Sequence, residues 1–134
     1  MVSPKKYRQQ IDDLGIDGME IDVKSIRNAM VLLNDLDEYA KILKKIRYNI
    51  RSDVRSIRLE YMEKLQEMEE TPEQGRFSRK KSSDKILKEK KALKKDRNIK
   101  IASYDIVENM VDNYLSQIAD AKEYIHVSIE RRVG

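Results

Sequence analysis

Apolar side chains recur every three or four positions along two long stretches of this chain. In the first stretch, twelve successive steps from Ile26 to Met68 cover 42 residues, a mean spacing of 3.5 residues. That spacing is the period of a coiled coil, in which one stripe of a helix packs against a partner helix. It predicts one long helix over residues 22–70, with an N-terminal cap supplied by Asp17 or Asp22.

A second regular stripe, from Tyr104 to Ile125, predicts another long helix over residues 83–131. Between the two stripes, residues 71–82 contain a proline and a glycine, which disfavour a continuous helix and predict a turn. At about 1.5 Å per residue, each long helix is roughly 70–75 Å long. Two such helices joined by a short turn form an antiparallel hairpin, the coiled-coil-like arm of the predicted fold.

The N-terminal residues and the composition complete the prediction of fold class. Ser3 followed by Pro4 is the pattern of a helix cap and first turn, and it predicts a short helix over 4–14. The 134 residues include only four Gly and two Pro, and 39% are charged, which is typical of an all-α protein rather than a β-rich one. We therefore predict a single helical domain over 1–134 with an all-α fold built on the hairpin.

The position of the turn gives an estimate of the hairpin's register. A turn centred near Arg76 brings together residues whose numbers sum to about 152. Ile46 then lies near Ile106. By the same rule Ile57 lies near Lys95, so apolar residues meet far from the turn and charged residues meet close to it.

The end of the hairpin farthest from the turn, here called the base, is richer in apolar residues than a two-helix seam requires. Residues 30–43 and 106–118 place large side chains on more than one face of their helices. The 4–14 helix, a second copy of the chain or a partner protein is expected to cover them, and self-association into a helical bundle is our prediction. The residues predicted to form this interface are Leu32, Leu36, Tyr39, Ile42, Ile106, Met110 and Leu115.

Positive charge is concentrated in residues 76–100, here called the basic segment. Twelve of these 25 residues are Lys or Arg and three are acidic, a net of +9 in a chain whose total is +4. Either the glutamates of 60–73 neutralise the segment or it binds an anionic partner, with nucleic-acid phosphates as the first candidate. The residues predicted to contact that partner are Arg76, Arg79, Lys80, Lys81, Lys85, Lys88, Lys91, Lys94 and Lys95.

A second set of cations lies on the first long helix. Its members recur at helical spacing and extend the basic surface; they are Arg47, Arg51, Arg55 and Arg58, together with Tyr48. Their acidic neighbours in sequence, Asp53 and Glu60, weigh against a purely basic face. Lysine outnumbers arginine by nine to three in the basic segment, which favours nonspecific contact with DNA or RNA over reading of base sequence.

No residue pattern in the chain indicates catalysis. His126 is the only histidine, and it lies near the end of the last predicted helix, where a capping or packing role suits its charge. There is no cysteine, and a partial match to a calcium loop at Asp13 fails at Gly15 and Lys24. We therefore predict a non-enzyme with no cofactor, no metal and no small-molecule substrate.

Two functions agree with these features. The first is a non-enzymatic scaffold or interaction protein that self-associates, or binds a protein partner, through the base. The alternative is a nucleic-acid-associated protein whose basic segment contacts phosphates nonspecifically. The run from Lys94 to Ala102 resembles the basic helix segment of archaeal GINS replication-factor helical domains, and this resemblance implies a DNA-replication scaffold.

The same sequence carries no signal for a membrane. It has no run of 18 apolar residues and no apolar stretch within its first twenty residues. These observations predict a cytoplasmic protein that makes no membrane contact.

Overall fold

The structure is a computed structural model, and it describes residues 1–69 and 83–134. All regular elements in these residues are helical, which confirms the predicted fold class. The long helix α2 packs against the long helix α3 as in a hairpin. The predicted turn at 71–82 lies outside the described residues. The elements are α1 over Pro4–Asp12, a short 3-10 helix over Ile16–Gly18, α2 over Ile26–Glu69 and α3 over Ser83–Val133.

The helix α1 begins where the sequence predicts and ends two residues earlier. The Ser3 hydroxyl accepts a hydrogen bond of 3.2 Å from the Lys6 amide, and Pro4 occupies the first turn. Gly15 adopts a φ of 67°, and its amide donates to the Asp12 carbonyl at 3.1 Å. This left-handed conformation suits glycine because it has no Cβ, and it ends the helix.

The helix α2 begins four residues later than predicted, because its cap is Ser25. The Ser25 hydroxyl accepts a hydrogen bond of 3.0 Å from the Asn28 amide. Asp22 instead accepts from the Lys24 amide at 2.9 Å and from the Asn28 side chain at 3.1 Å. Asp22 therefore ties the preceding connection to the first turn of α2. The predicted caps, Asp17 and Asp22, are both wrong.

The helices pack as two units, and each is described by itself. Unit 1 comprises residues 1–50 and 106–134. Tyr7 and Ile11 of α1 are only 2% and 1% exposed. Because a nine-residue helix cannot enclose its own side chains and is unstable alone, α1 must be held by the rest of unit 1. The other large buried residues of this unit are Leu32, Leu36, Leu43, Ile46, Ile50, Val107, Val111, Ile118 and Ile125.

Unit 2 comprises residues 51–105, of which 51–69 and 83–105 are described. Its core is a single row of side chains along the seam between α2 and α3. Within the described part, the buried members are Ile57, Tyr61, Ile101 and Tyr104. The other seam residues are half-buried, and most side chains of this unit are exposed.

The register of the hairpin differs from the sequence-based estimate. In unit 1 the Arg47 guanidinium lies 3.1 Å from Asp112, and Lys122 contacts Asp37. The residue numbers add to 159 in both pairs. The estimate of about 152 was therefore wrong by about two helical turns. A displacement of seven residues returns the same apolar stripe to the seam, so periodicity does not distinguish the two registers.

Candidate functional site

The residues predicted to form an interface at the base differ in burial. Ile42 and Ile106 are exposed, at 41% and 55%. The other five are at least half-buried in unit 1, and the most buried pair is 7% and 3% exposed. The chain itself therefore covers most of the predicted interface. These five residues are Leu32, Leu36, Tyr39, Met110 and Leu115.

The connection between α1 and α2 supplies part of this cover. The Tyr114 hydroxyl on α3 donates a hydrogen bond of 2.6 Å to Asp17 in the connection. Farther along, the Arg132 guanidinium donates to the Val23 carbonyl. A small open pocket lies where the connection meets the helix pair, and its lining residues are Ile16, Asp17, Met19, Ile21, Leu36, Gln117, Ile118 and Ala121.

Ile42 and Ile106 lie on the flank of unit 1 that the connection covers in part, here called the N-terminal flank. Leu115 lies on the opposite flank, in line with Asp112, which pairs with an arginine of α2. Only two exposed residues of the predicted interface therefore share a surface. The residues in line with them at helical spacing are Asn28, Val31 and Asp35 on α2 and Met110, Gln117 and Ala121 on α3.

The nine cations predicted to contact an anionic partner are only partly described. Arg76, Arg79, Lys80 and Lys81 lie outside the described residues. The other five are exposed on α3. Lys85 interacts with another residue, whereas the remaining four form no ion pair with a described residue. An ion pair of the predicted interhelical kind joins Lys90 and Glu69 at 3.0 Å. The five exposed cations are Lys85, Lys88, Lys91, Lys94 and Lys95.

Tyr61 is the centre of a polar cluster that joins α2 and α3 in unit 2. Its side chain is 1% exposed, and its hydroxyl donates to the Asp96 carboxylate. The Lys64 and Lys100 ammonium groups lie 4.7 and 5.2 Å from the centre of its ring, within cation–π range. Sequence analysis placed Tyr61 in the apolar stripe but missed this cluster, because Asp96 is 35 residues away along the chain.

In unit 1, contacts between distant residues shift the pKa values of two ionisable groups. A hydrogen bond from Lys122 lowers the pKa of the Asp37 carboxyl, with His126 as a minor contributor. The hydrogen bond to Asp17 raises the pKa of Tyr114, and burial adds to this effect. Each shift follows from a contact between residues that are distant in the chain.

We expect the contribution of Tyr114 to stability to disappear at high pH. Its pKa is higher in the folded chain, so the contribution is complete below the ordinary tyrosine pKa of about 10 and is lost as pH rises through the folded value. Urea unfolding of wild type and Tyr114→Phe should show a difference in free energy that shrinks above that pH. Tyr124→Phe, at an exposed position, is the control. A constant difference for Tyr114→Phe would contradict this assignment.

The described residues contain neither a metal-ligand group nor a helix that could cross a membrane. Residues 1–69 and 83–134 contain no group of three His, Asp or Glu side chains placed to hold a metal ion. His126, predicted to cap or pack, is exposed on α3. Within the same ranges, none of the helices has the length and apolar character needed to cross a bilayer. The chain matches no protein-family model, no curated protein and no solved structure.

Proposed function

We propose that the protein is a non-enzymatic helical interaction protein that self-associates through the N-terminal flank of unit 1. The observation that carries this proposal is the exposure of Ile42 and Ile106, at 41% and 55%, on the same flank of two neighbouring helices. Large exposed apolar side chains that share one face, rather than being scattered singly, are typical of interaction surfaces. Their half-buried neighbours, Tyr39 and Met110, would complete the apolar area.

The charges of unit 1 favour a second copy of the chain as the occupant. Residues 1–50 and 106–134 contain twelve Lys or Arg and thirteen Asp or Glu, a net of −1. A nearly neutral surface lets identical copies approach without mutual repulsion. Two charges of opposite sign also lie on either side of Ile42 along α2. Lys45 follows it by one turn, and Asp35 precedes it by two turns.

These two charges give the flank a self-complementary pattern. Lys45 and Asp35 are exposed, and neither forms an ion pair with a described residue. In an antiparallel two-fold contact centred near residue 40 of α2, the lysine of one copy meets the aspartate of the other. Ile42 is then buried against Tyr39 of the other copy, and Ile106 lies at the level of the first turns of the other copy's α2. The same contacts occur twice, once on each side of the two-fold axis.

Sedimentation equilibrium tests this proposal. We expect a reversible dimer, and we expect Ile42→Asn and Ile106→Asn each to raise its Kd at least about tenfold, because burying an isoleucine contributes about 1.5–3 kcal/mol. Leu59→Asn is the matched control, since Leu59 is 54% exposed on unit 2. Its dimer should be unchanged.

Exchanging the two charges distinguishes the proposed contact from nonspecific association. Lys45→Glu and Asp35→Lys should each weaken the dimer, because like charges then meet across it. The two substitutions together should restore it. A wild type that is monomeric at every concentration, or a double variant no better than the single ones, would overturn the proposal.

A further inference from the structure

Contacts between α2 and α3 identify the two flanks of unit 2. On one flank the Lys90 ammonium lies 3.0 Å from Glu69. The other flank contains Asp96. Its carboxylate accepts a hydrogen bond from the Tyr61 hydroxyl and lies 3.9 Å from the Lys100 ammonium. Because side chains on one flank repeat at steps of three, four and seven, these contacts place the remaining charged residues.

Charge is distributed unequally between these flanks. The flank of the Lys90–Glu69 pair, here called the basic flank, carries six cations against three carboxylates among the described residues. Its cations are Arg51, Arg55, Arg58, Lys90, Lys91 and Lys94. The opposite flank carries five carboxylates against three ammonium groups. Its carboxylates are those of Asp53, Glu60, Glu67, Glu89 and Asp96.

The three carboxylates of the basic flank leave its middle positive. Glu69 is paired with Lys90. Asp84 lies in the first turn of α3, and Asp105 is the last residue of unit 2 on that helix. Between these two aspartates, the part of α3 that lies on this flank has only cations and uncharged side chains.

This distribution separates the arginines of α2, here called the arginine row (Arg51, Arg55 and Arg58), from the carboxylates that are their neighbours in sequence. Asp53 and Glu60 are seven residues apart, so they share one face of α2, and helical spacing places that face away from the arginines. In agreement, Asp53 acts electrostatically on Tyr104, and Glu60 acts on Lys100. Arg55 and Arg58 are exposed and form no ion pair with a described residue. Their positive charge is therefore available to a partner.

The basic flank combines both long helices into one elongated surface. Lys91 and Lys94 of α3 are exposed on it, and they too form no ion pair with a described residue. From Arg51 to the level of the Lys90–Glu69 pair, the cations span 18 residues of α2, about 27 Å at 1.5 Å per residue. A duplex presents about one phosphate charge per 1.7 Å of axis, so several phosphates lie within that length.

We propose that the basic flank binds the phosphate backbone of double-stranded nucleic acid. The described part of this flank has no aromatic side chain, and proteins that bind single strands depend on stacking of bases against aromatic rings. Its exposed apolar residues, Met62 and Leu87, offer no hydrogen bonds to base edges. Binding is therefore independent of base sequence and driven by release of counterions. This proposal does not rest on self-association, because every residue it uses lies in unit 2.

Fluorescence anisotropy with labelled duplexes and single strands of DNA and RNA tests the proposal between about 50 and 200 mM salt. Two double variants on α3 distinguish the effect of the basic flank on binding from the effect of total charge. Lys91→Gln with Lys94→Gln changes the basic flank. Lys85→Gln with Lys100→Gln removes the same charge from exposed lysines on the opposite flank. A third variant, Arg55→Gln with Arg58→Gln, tests the contribution of α2.

The wild type should bind duplexes more tightly than single strands, with affinity that falls steeply with salt. The basic-flank lysine variant should bind roughly tenfold or more weakly, and its salt slope should decrease by about two, one for each lost phosphate contact. The arginine variant should behave in the same way. The control pair should stay within about threefold of wild type, because distant charges act through screened electrostatics alone.

Three results would each overturn the proposal. The first is no duplex binding by the wild type at the lowest salt. The second is equal weakening by the flank and control pairs, since binding would then follow net charge rather than the basic flank. The third is tighter binding of single strands than of duplexes. Circular dichroism of each variant should match the wild type, because all six substituted side chains are exposed.

Discussion

Replacing Tyr61 with alanine is expected to lower the free energy of unfolding by about 3–5 kcal/mol. Tyr61 is 1% exposed, and it is the most buried of the four buried residues in the described part of unit 2. Its removal leaves a cavity in a core that is one row of side chains wide, and it removes the ring that Lys64 and Lys100 contact. Chemical denaturation followed by circular dichroism measures the loss.

A more conservative change separates the ring from its hydroxyl. Tyr61→Phe keeps the buried ring and removes the hydrogen bond to Asp96. Because the Asp96 side chain is 58% exposed, water can replace the lost partner, and we expect a cost of only about 1 kcal/mol. Tyr124→Ala, at a position 56% exposed, should change stability by less than about 0.5 kcal/mol. A Tyr61→Ala variant as stable as this control would contradict the packing described for unit 2.

Replacing Leu43 with alanine is expected to cost about 2–5 kcal/mol. Leu43 has no exposed surface, and it lies in the core of unit 1 with the buried residues of α3. Leu59→Ala makes the same chemical change in the same helix at a position 54% exposed, so it should cost less than about 0.5 kcal/mol. The helix propensity term is common to both variants and cancels in the comparison.

The pair also tests the assignment of the apolar stripe. Both leucines lie within the predicted long helix, but only Leu43 belongs to the run of three- and four-residue steps. Urea unfolding of the two variants under identical conditions gives the difference directly. Equal losses would mean that burial along α2 is not arranged as the structure describes.

The positions of the helices were predictable because the signals for them are local. The apolar spacing and the interruption by proline and glycine predicted long helices over 22–70 and 83–131. The helices of the structure are Ile26–Glu69 and Ser83–Val133. The start of α2 was misplaced because three side chains, those of Asp17, Asp22 and Ser25, all have the chemistry of a cap. Which of them caps the helix depends on the path of the connection, and that path is set by its packing in unit 1.

The candidate surfaces were only partly predictable. Sequence analysis identified the cations and the apolar residues, but it treated Asp53 and Glu60 as neutralising neighbours of Arg55 and Arg58. On a helix, residues two positions apart point in directions roughly 200° apart, so neighbours in sequence are separated in space. The face of α2 that packs against α3 is set by the seam, and it determines which side chains lie on each flank.

The sequence by itself determined that the chain is helical, where its long helices run and which stripe of each is apolar. Those properties follow from a local period of three to four residues. Only the tertiary structure decided the register of α2 against α3, since a seven-residue displacement leaves the period unchanged. It also decided that α1 and the connection occupy much of the base, and that most carboxylates of unit 2 lie on the flank opposite its arginine row. Both outcomes depend on contacts between residues distant in the chain, which a pattern of spacings does not contain.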